Sequence, residues 1–133
     1  MCKPEILPSG PAEKDALGGF IDSHARAKGV KIRVYDYHVE RDGQTVAGIS
    51  AWAMGPHLHI DMLGVDGSER KRGYGSALLE YVEDVARRDG CTTASVDTFS
   101  YQAPEFYPRH GYEVVFRYPL EDGTERIYFS KQL

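Results

Sequence analysis

Residues 67 to 76 read GSERKRGYGS and lie between a strand-like segment, residues 57 to 65, and the clearest helical pattern in the chain, residues 74 to 89. A loop that leads from a strand into a helix directs free backbone N–H groups at one point, and the helix dipole adds partial positive charge there. The loop also carries three cations and two glycines close to the helix: Arg70, Lys71, Arg72, Gly73 and Gly75. The stretch therefore predicts an anion-binding loop, and the alternative is a polar surface turn.

The helix after the loop is predicted from apolar residues that recur on one face. These residues are Leu78, Leu79, Val82, Val85 and Ala86. Acidic residues come early in the segment and Arg87 and Arg88 come late, which suits the helix dipole. Gly90 then ends the helix.

Upstream of the loop, β-branched and aromatic residues divided by Asp42-Gly43 and Gly55-Pro56 predict a meander of three strands. Its strands are residues 32 to 40, 44 to 54 and 57 to 65. Before the meander we expect a short strand at residues 3 to 7 and a helix that contains Leu17, Phe20 and Ile21 and stops at Gly29. Downstream we expect a strand at residues 92 to 98, a short helix at 102 to 110, and strands at 112 to 118 and 126 to 131. The order β-α-βββ-α-β-α-ββ predicts an α/β fold with a mixed, mostly antiparallel sheet flanked by helices.

Composition limits the class of protein. The chain has 133 residues, of which 41% are hydrophobic and 27% charged, which predicts one globular domain over residues 1–133. Sixteen Lys and Arg against 20 Asp and Glu argue against a surface built for nucleic acid, although a local basic patch is compatible with them. Only Cys2 and Cys91 occur, so we expect a reducing compartment, the cytoplasm. No apolar run approaches the ~20 residues that span a membrane, so no membrane partner is expected.

The spacing of the loop separates the candidate phosphate ligands. No Lys-Ser or Lys-Thr closes the loop as in a P-loop, and the third glycine of a dinucleotide fingerprint is missing. What remains is Arg70-x-x-Gly73-x-Gly75, which resembles the R/Q-x-x-G-x-G/A loop of the GNAT acyl-CoA-dependent N-acetyltransferases. Residues 103 to 112, APEFYPRHGY, are similar to that family's A-x-x-F-Y-x-x-x-G-F/Y motif. Together with Asp97-Thr98-Phe99, they resemble small bacterial members, some named as antibiotic acetyltransferases.

The resemblance implies a GNAT-like fold, acetyl-CoA as co-substrate and Tyr107 as the general acid for the departing thiolate. It implies that the end of one strand and the loop bind acetyl-CoA. The residues are Leu63, Gly64, Val65, Arg70, Lys71, Arg72, Gly73, Tyr74, Gly75 and Ser76. Pro108 directly after Tyr107 predicts a short or distorted helix there.

Gly64 lies inside a strand that otherwise looks regular, and an interior glycine often marks a bulge. A bulge there would separate this strand from the next and expose backbone groups for the pantetheine arm. The alternative is a packing glycine.

The general base is sought among His57, His59 and Asp61, which alternate and so project from one face of a strand. Three roles stay open for these residues: metal binding, a structural role and proton removal. A metal site would lack an evident fourth ligand. We assign proton removal to His59, with Asp61 acting through water or orienting His59, and we expect no metal.

The sequence thus predicts an acetyl-CoA-dependent N-acetyltransferase that acts by direct transfer on a primary amine of a small molecule. A protein or peptide acetyltransferase and a non-catalytic acyl-CoA-binding module are the alternatives. The sequence leaves a homodimer open.

Overall fold

The computed structural model describes residues 3 to 133 and divides the chain into two compact units, one that ends at Ile32 and one that spans Arg33–Leu133. The first unit contains one helix, α1 (Pro11–Ala27), which confirms the predicted helix. Residues 3 to 10 form neither strand nor helix, so the predicted first strand is wrong. Pro4 and Pro8 lack the N–H that a strand ladder needs. Cys2 lies outside the described residues.

The other predicted elements are all present. They are β1 (Ile32–Arg41), β2 (Gln44–Met54), β3 (His57–Val65), α2 (Tyr74–Arg88), β4 (Thr93–Phe99), α3 (Phe106–Arg109), β5 (Glu113–Pro119) and β6 (Glu125–Gln132). The six-stranded sheet has the order β1-β2-β3-β4-β6-β5. Strands β3 and β4 are parallel, whereas β2–β3, β4–β6 and β5–β6 are antiparallel. The mixed, mostly antiparallel sheet is therefore confirmed.

The core lies between α2 and one face of the sheet. The largest fully buried side chains there are Leu58, Ile60, Leu79 and Val82. Because side chains alternate along a strand, burial of Leu58 and Ile60 turns His57 and His59 to the opposite face. One face of β3 thus supports the core while the other carries polar groups.

Strand β3 contains a bulge, and its position differs from the prediction. Ser50 pairs with Met62 and Ala51 pairs with Ile60, so Asp61 is the extra residue, whereas Gly64 pairs regularly with Gly48. The bulge predicted at Gly64 is wrong because Gly64 continues the ladder with β2. Since Asp61 is the extra residue, strict alternation does not extend the direction of His59 to Asp61.

The bulge coincides with the point where β3 leaves β4. Parallel pairing in the described chain ends at Ile60 and Val96. Beyond that pair, β3 continues to Val65 and β4 to Phe99 without pairing to each other. The edge of β3 that faces away from β2 therefore carries backbone groups with no strand partner among residues 61 to 65, as expected for an opening between the strands.

Candidate active site

The loop before α2 has the backbone that an anion site needs. Gly73 adopts the left-handed conformation (φ 80°), and the first intrahelical bond is donated by the Ala77 N–H to its carbonyl at 3.0 Å. The N–H groups of Tyr74, Gly75 and Ser76 precede that bond and so are available to a ligand. A Cβ added at Gly75 would lie 3.5 Å from the Phe106 ring, so α2 begins directly against α3.

The cations of the loop are not equivalent. The Arg72 guanidinium lies 2.6 Å from the Glu69 carboxylate, which also pairs with Arg41 at 3.0 Å. Arg70 and Lys71 are exposed and make no ion pair with any described residue. The hydroxyl of Ser76 is hydrogen-bonded to Nε2 of His110 at 2.9 Å, toward α3. Arg70 and Lys71 are therefore the side chains best placed to meet an incoming anion.

Tyr107 lies in the single turn of α3, in keeping with the short helix predicted around Pro108. Its ring packs among Phe106, Tyr112 and Phe129, with centroids 5.2 to 5.7 Å apart, and the residue is 8% exposed. No hydrogen bond within the described chain occupies the Tyr107 hydroxyl, yet that oxygen is not sealed from solvent. Burial, with a smaller effect of the Asp97 charge, raises the pKa of Tyr107 to about 12. The phenol therefore keeps its proton and has it free to donate.

Two histidines on β3 share one hydroxyl group. Ser95 Oγ lies 2.8 Å from Nε2 of His57 and 2.8 Å from Nδ1 of His59, and Nδ1 of His57 lies 2.8 Å from Thr93 Oγ1. The register of β3 and β4 causes this, because His57 pairs with Thr93 and His59 pairs with Ser95. We call these four residues the histidine chain. The Trp52 ring covers His59, with centroids 5.0 Å apart.

Asp97 continues this arrangement along β4. One of its oxygens lies 3.7 Å from Nε2 of His59, and the other accepts hydrogen bonds from Nε and Nη2 of Arg126 at 2.8 and 2.6 Å. Asp61 is exposed and makes no side-chain hydrogen bond or ion pair with the described residues. The carboxylate beside His59 is thus Asp97, a residue that sequence reasoning did not select.

The sequence does contain a signal for the histidine chain and Asp97. Thr93, Ser95 and Asp97 alternate with the buried Ala94, Val96 and Thr98 in β4. The same alternation of polar and apolar residues drew attention to His57 and His59. What the sequence lacked was the register that places the two polar rows side by side.

A cleft of about 470 Å³ lies on the sheet over β1, β2 and β3. Its lining residues are Asp36, Tyr37, His38, Gly48, Ile49, Ser50 and Met62. Ser50 and Trp52 are two residues apart in β2, so their side chains lie on the same face of the sheet. Ser50 lines the cleft and Trp52 packs on the His59 ring, so the cleft and that ring share this face. The Ser50 hydroxyl donates to one oxygen of Asp36 at 2.6 Å, and the other oxygen remains available.

Within residues 3 to 133, no group of three or more His, Cys, Asp or Glu side chains is arranged to hold a metal. No helix in that range is long and apolar enough to cross a membrane.

Comparison with known proteins gave consistent matches. A family model described as "Acetyltransferase (GNAT) family" matches residues 9–112. Blasticidin-S acetyltransferase of Streptomyces morookaense is 37% identical over 78 residues, which span 58% of this chain and 57% of that relative. A crystal structure of an acetyltransferase from Bacillus cereus is 32% identical, covers 98% of both chains and has a TM-score of 0.75. An aminoglycoside 6'-N-acetyltransferase complexed with coenzyme A shares the fold, at 18% identity over 99% of this chain and 97% of its own, with a TM-score of 0.64.

Proposed function

Because this chain belongs to the GNAT family of acetyltransferases, we propose that it transfers an acetyl group from acetyl-CoA directly to a primary amine of a small molecule. The observation that carries the proposal is the opening where β3 and β4 stop pairing after Ile60 and Val96. Tyr107 packs against Phe129 on the core face of the sheet, and His59 lies on the opposite face. These positions, on two faces of the sheet beside the opening, support Tyr107 as the acid and His59 as the base.

Acetyl-CoA fits the loop and the free edge of β3. The N–H groups at the start of α2, with Arg70 and Lys71, suit its pyrophosphate, whereas Glu69 already neutralises Arg72 in part. The edge formed by Leu63, Gly64 and Val65 has no partner on the β4 side, so the amide groups of pantetheine can pair there like an added strand.

The transfer follows from these positions. Nε2 of His59 takes a proton from the acceptor ammonium, and the freed amine attacks the thioester carbonyl carbon. A C–N bond forms as the C–S bond breaks, and Tyr107 gives its proton to the departing thiolate. After the attack the nitrogen still carries one proton more than the amide product does. This proton passes to the Tyr107 oxygen and regenerates the phenol. The proton held by His59 is therefore the one released overall. Asp61, acting through water, is the alternative base.

The transfer does not pass through a covalent acetyl-enzyme. Cys91 is buried, and burial raises the pKa of its thiol. A protonated, enclosed thiol is a poor nucleophile. A buried, unpaired thiol also suits the reducing cytoplasm, which we propose as the compartment.

The acceptor side favours a small cationic amine. Asp97 lies beside His59, and Asp36 presents a carboxylate oxygen in the cleft on the same face. A cleft of about 470 Å³ is of the size that small ligands occupy. A peptide is the second candidate acceptor, and the assay below distinguishes it from a small amine.

The test is an acetylation assay on the full chain. Thiol release from acetyl-CoA is followed across mono- and polycationic small amines and across peptides with free amino termini, and products are identified by mass spectrometry. We expect acetylated small amines, with the polycationic ones preferred. Acetylated peptides without small-amine products would replace the acceptor class, and thiol release with no acetylated product would overturn transfer.

A further inference from the structure

The shared hydroxyl of Ser95 restricts where the protons of His57 and His59 can lie. Ser95 Oγ has one hydrogen to donate, and each neutral ring has one N–H and one lone pair. If Ser95 donates to His57 Nε2, then His57 carries its proton on Nδ1, and His59 must donate from Nδ1 to Ser95. If Ser95 donates to His59 Nδ1 instead, both rings carry their proton on Nε2. In one mixed arrangement both rings donate to Ser95, whose oxygen accepts two hydrogen bonds, and His59 again carries its proton on Nδ1. The other mixed arrangement loses one of the hydrogen bonds.

The distances favour a proton on Nδ1 of His59. With both protons on Nδ1, His57 donates to Thr93 and His59 donates to Ser95, each over 2.8 Å. With both protons on Nε2, the His59 N–H points toward Asp97 at 3.7 Å, which is too long for a hydrogen bond. The first arrangement satisfies both ring N–H groups, whereas the second leaves one without an acceptor in the described chain.

We propose that Ser95 is a positioning residue that holds His59 in the Nδ1–H form, so that Nε2 of His59 is the free base atom. The inference rests on the proposed function for the identity of the base. When Nε2 of His59 takes the proton from the amine, an N–H bond of the ammonium breaks and one forms on the ring. No other hydrogen in the histidine chain has to move, because His59 already donates from Nδ1.

The groups around His59 favour a proton on Nε2. Asp97 of β4 faces Nε2 of His59, and Arg126 of β6 holds the far oxygen of that carboxylate. Trp52 of β2 covers the ring without a charge, and the phenol of Tyr107 remains protonated. Burial and the neighbouring His59 lower the pKa of His57, so a second proton on His57 is disfavoured. A proton taken up at Nε2 of His59 therefore lies beside the Asp97 carboxylate.

Long-range ¹H–¹⁵N correlation NMR of the histidine-labelled full chain tests the positioning directly. Signals are assigned with His57→Gln and His59→Gln. We expect His59 in the Nδ1–H form at neutral pH. Ser95→Ala should shift His59 away from this form, and Ser95→Thr, which keeps the hydroxyl, should retain it. A wild-type His59 in the Nε2–H form, or an unchanged Nδ1–H form in Ser95→Ala, would overturn the inference.

Ser130 supplies the matched control, because it pairs directly with Ser95 across β4 and β6 and its hydroxyl bonds to no described side chain. Ser130→Ala should leave both rings unchanged. In kinetics, Ser95→Ala should lower kcat about tenfold, as loss of an orienting partner does to a working histidine, and shift the acidic limb, with unchanged KM for acetyl-CoA. An Nε2–H form of His59 in the wild type with normal turnover would sink this inference alone. An Nδ1–H form with a pH profile that His59→Gln leaves unaltered would instead reject the base in the proposed function.

Discussion

Tyr107 and Tyr112 lie close together in one motif, yet their hydroxyl groups have different surroundings. The Tyr112 hydroxyl donates to the buried Glu83 carboxylate at 2.7 Å, and Tyr112 is 3% exposed. The Tyr107 hydroxyl bonds to no described residue. A committed hydroxyl supports the fold, whereas a free one is available for chemistry.

Replacing Tyr107 with Phe removes that hydroxyl and keeps the ring. We expect turnover to fall about 100-fold or more, as for a lost general acid, with little change in acetyl-CoA affinity. Steady-state kinetics and calorimetry measure the two quantities. An acetyl donor with a more acidic leaving thiol should partly restore turnover, since its thiolate needs less protonation.

Tyr81→Phe is the matched control, because Tyr81 is an exposed tyrosine of α2 whose hydroxyl makes no hydrogen bond within the described chain. Equal turnover of Tyr107→Phe and Tyr81→Phe would reject the acid role. Because the pKa of Tyr107 is about 12, the phenol stays protonated through the neutral range. An alkaline limb below about pH 10 would then have to come from another group.

His59→Gln tests the base. We expect the acidic limb of the rate profile to disappear or move, because glutamine cannot take a proton, while acetyl-CoA binding persists. Asp61→Asn is the comparison, since that carboxylate lies on the same strand but has no described partner. Two acceptor amines of different pKa separate a limb set by the enzyme from one set by the substrate. A limb abolished only by Asp61→Asn would transfer the role to Asp61.

At the scale of elements, we propose that the start of α2 carries the affinity for acetyl-CoA. Gly73 has φ 80° and faces open space, so a Cβ there meets no atom but strains the backbone and obstructs the approach of a phosphate. We expect Gly73→Val to weaken acetyl-CoA binding strongly while the fold survives. Calorimetry gives the affinity and circular dichroism the fold.

Gly123→Val separates strain from ligand binding. Gly123 also has a left-handed φ, 88°, and also faces open space, but it lies between β5 and β6. Equal loss of stability in both variants, with acetyl-CoA affinity lost only in Gly73→Val, is the expected pattern. Unchanged affinity in a folded Gly73→Val protein would refute the loop assignment. Arg70→Ala should weaken binding less than Gly73→Val does, with the exposed Arg88→Ala as its charge control.

Periodicity predicted most of the elements because their apolar residues recur at the spacing of the structure they form. The amphipathic pattern of α2 and the turn signals of the meander are local features, so one sequence suffices to find them. The bulge at Asp61 and the partnership of His59 with Asp97 depend on register between strands, which one sequence does not contain. The short strand expected at residues 3 to 7 is absent, because Pro4 and Pro8 remove N–H groups that a strand ladder needs and the apolar run is short.

At the scale of the sheet and its helices, a buried ionic cluster ties distant segments of the second unit together. Glu83 of α2 is 2% exposed and binds Lys131 of β6 at 2.8 Å, besides the Tyr112 hydroxyl. Arg87 lies 3.9 Å from the same carboxylate. A buried carboxylate is tolerated because each oxygen has a partner, and removal of one partner leaves part of it unsatisfied.

Tyr112→Phe should therefore lower stability and spare chemistry, the reverse of Tyr107→Phe. We expect the free energy of unfolding to fall by about 1.5–3 kcal/mol, the range for a hydrogen bond to a charged group, with acetyl-CoA affinity retained. Chemical denaturation measures this at neutral pH. Similar losses of stability in both variants would mean that the Tyr107 hydroxyl is also bonded within the fold.

The pH dependence of unfolding gives a second readout on the same pair. Burial and the Glu83 carboxylate raise the pKa of Tyr112, so the folded protein holds that proton to higher pH than the unfolded chain does. The contribution is complete below the unfolded pKa of ~10 and is lost as pH rises from there toward the folded pKa. Wild-type stability should fall above pH ~10, and Tyr112→Phe should flatten part of that decline. An identical alkaline slope in wild type and Tyr112→Phe would show that other tyrosines, such as the buried Tyr35 bonded to Asp89 at 2.8 Å, dominate the transition.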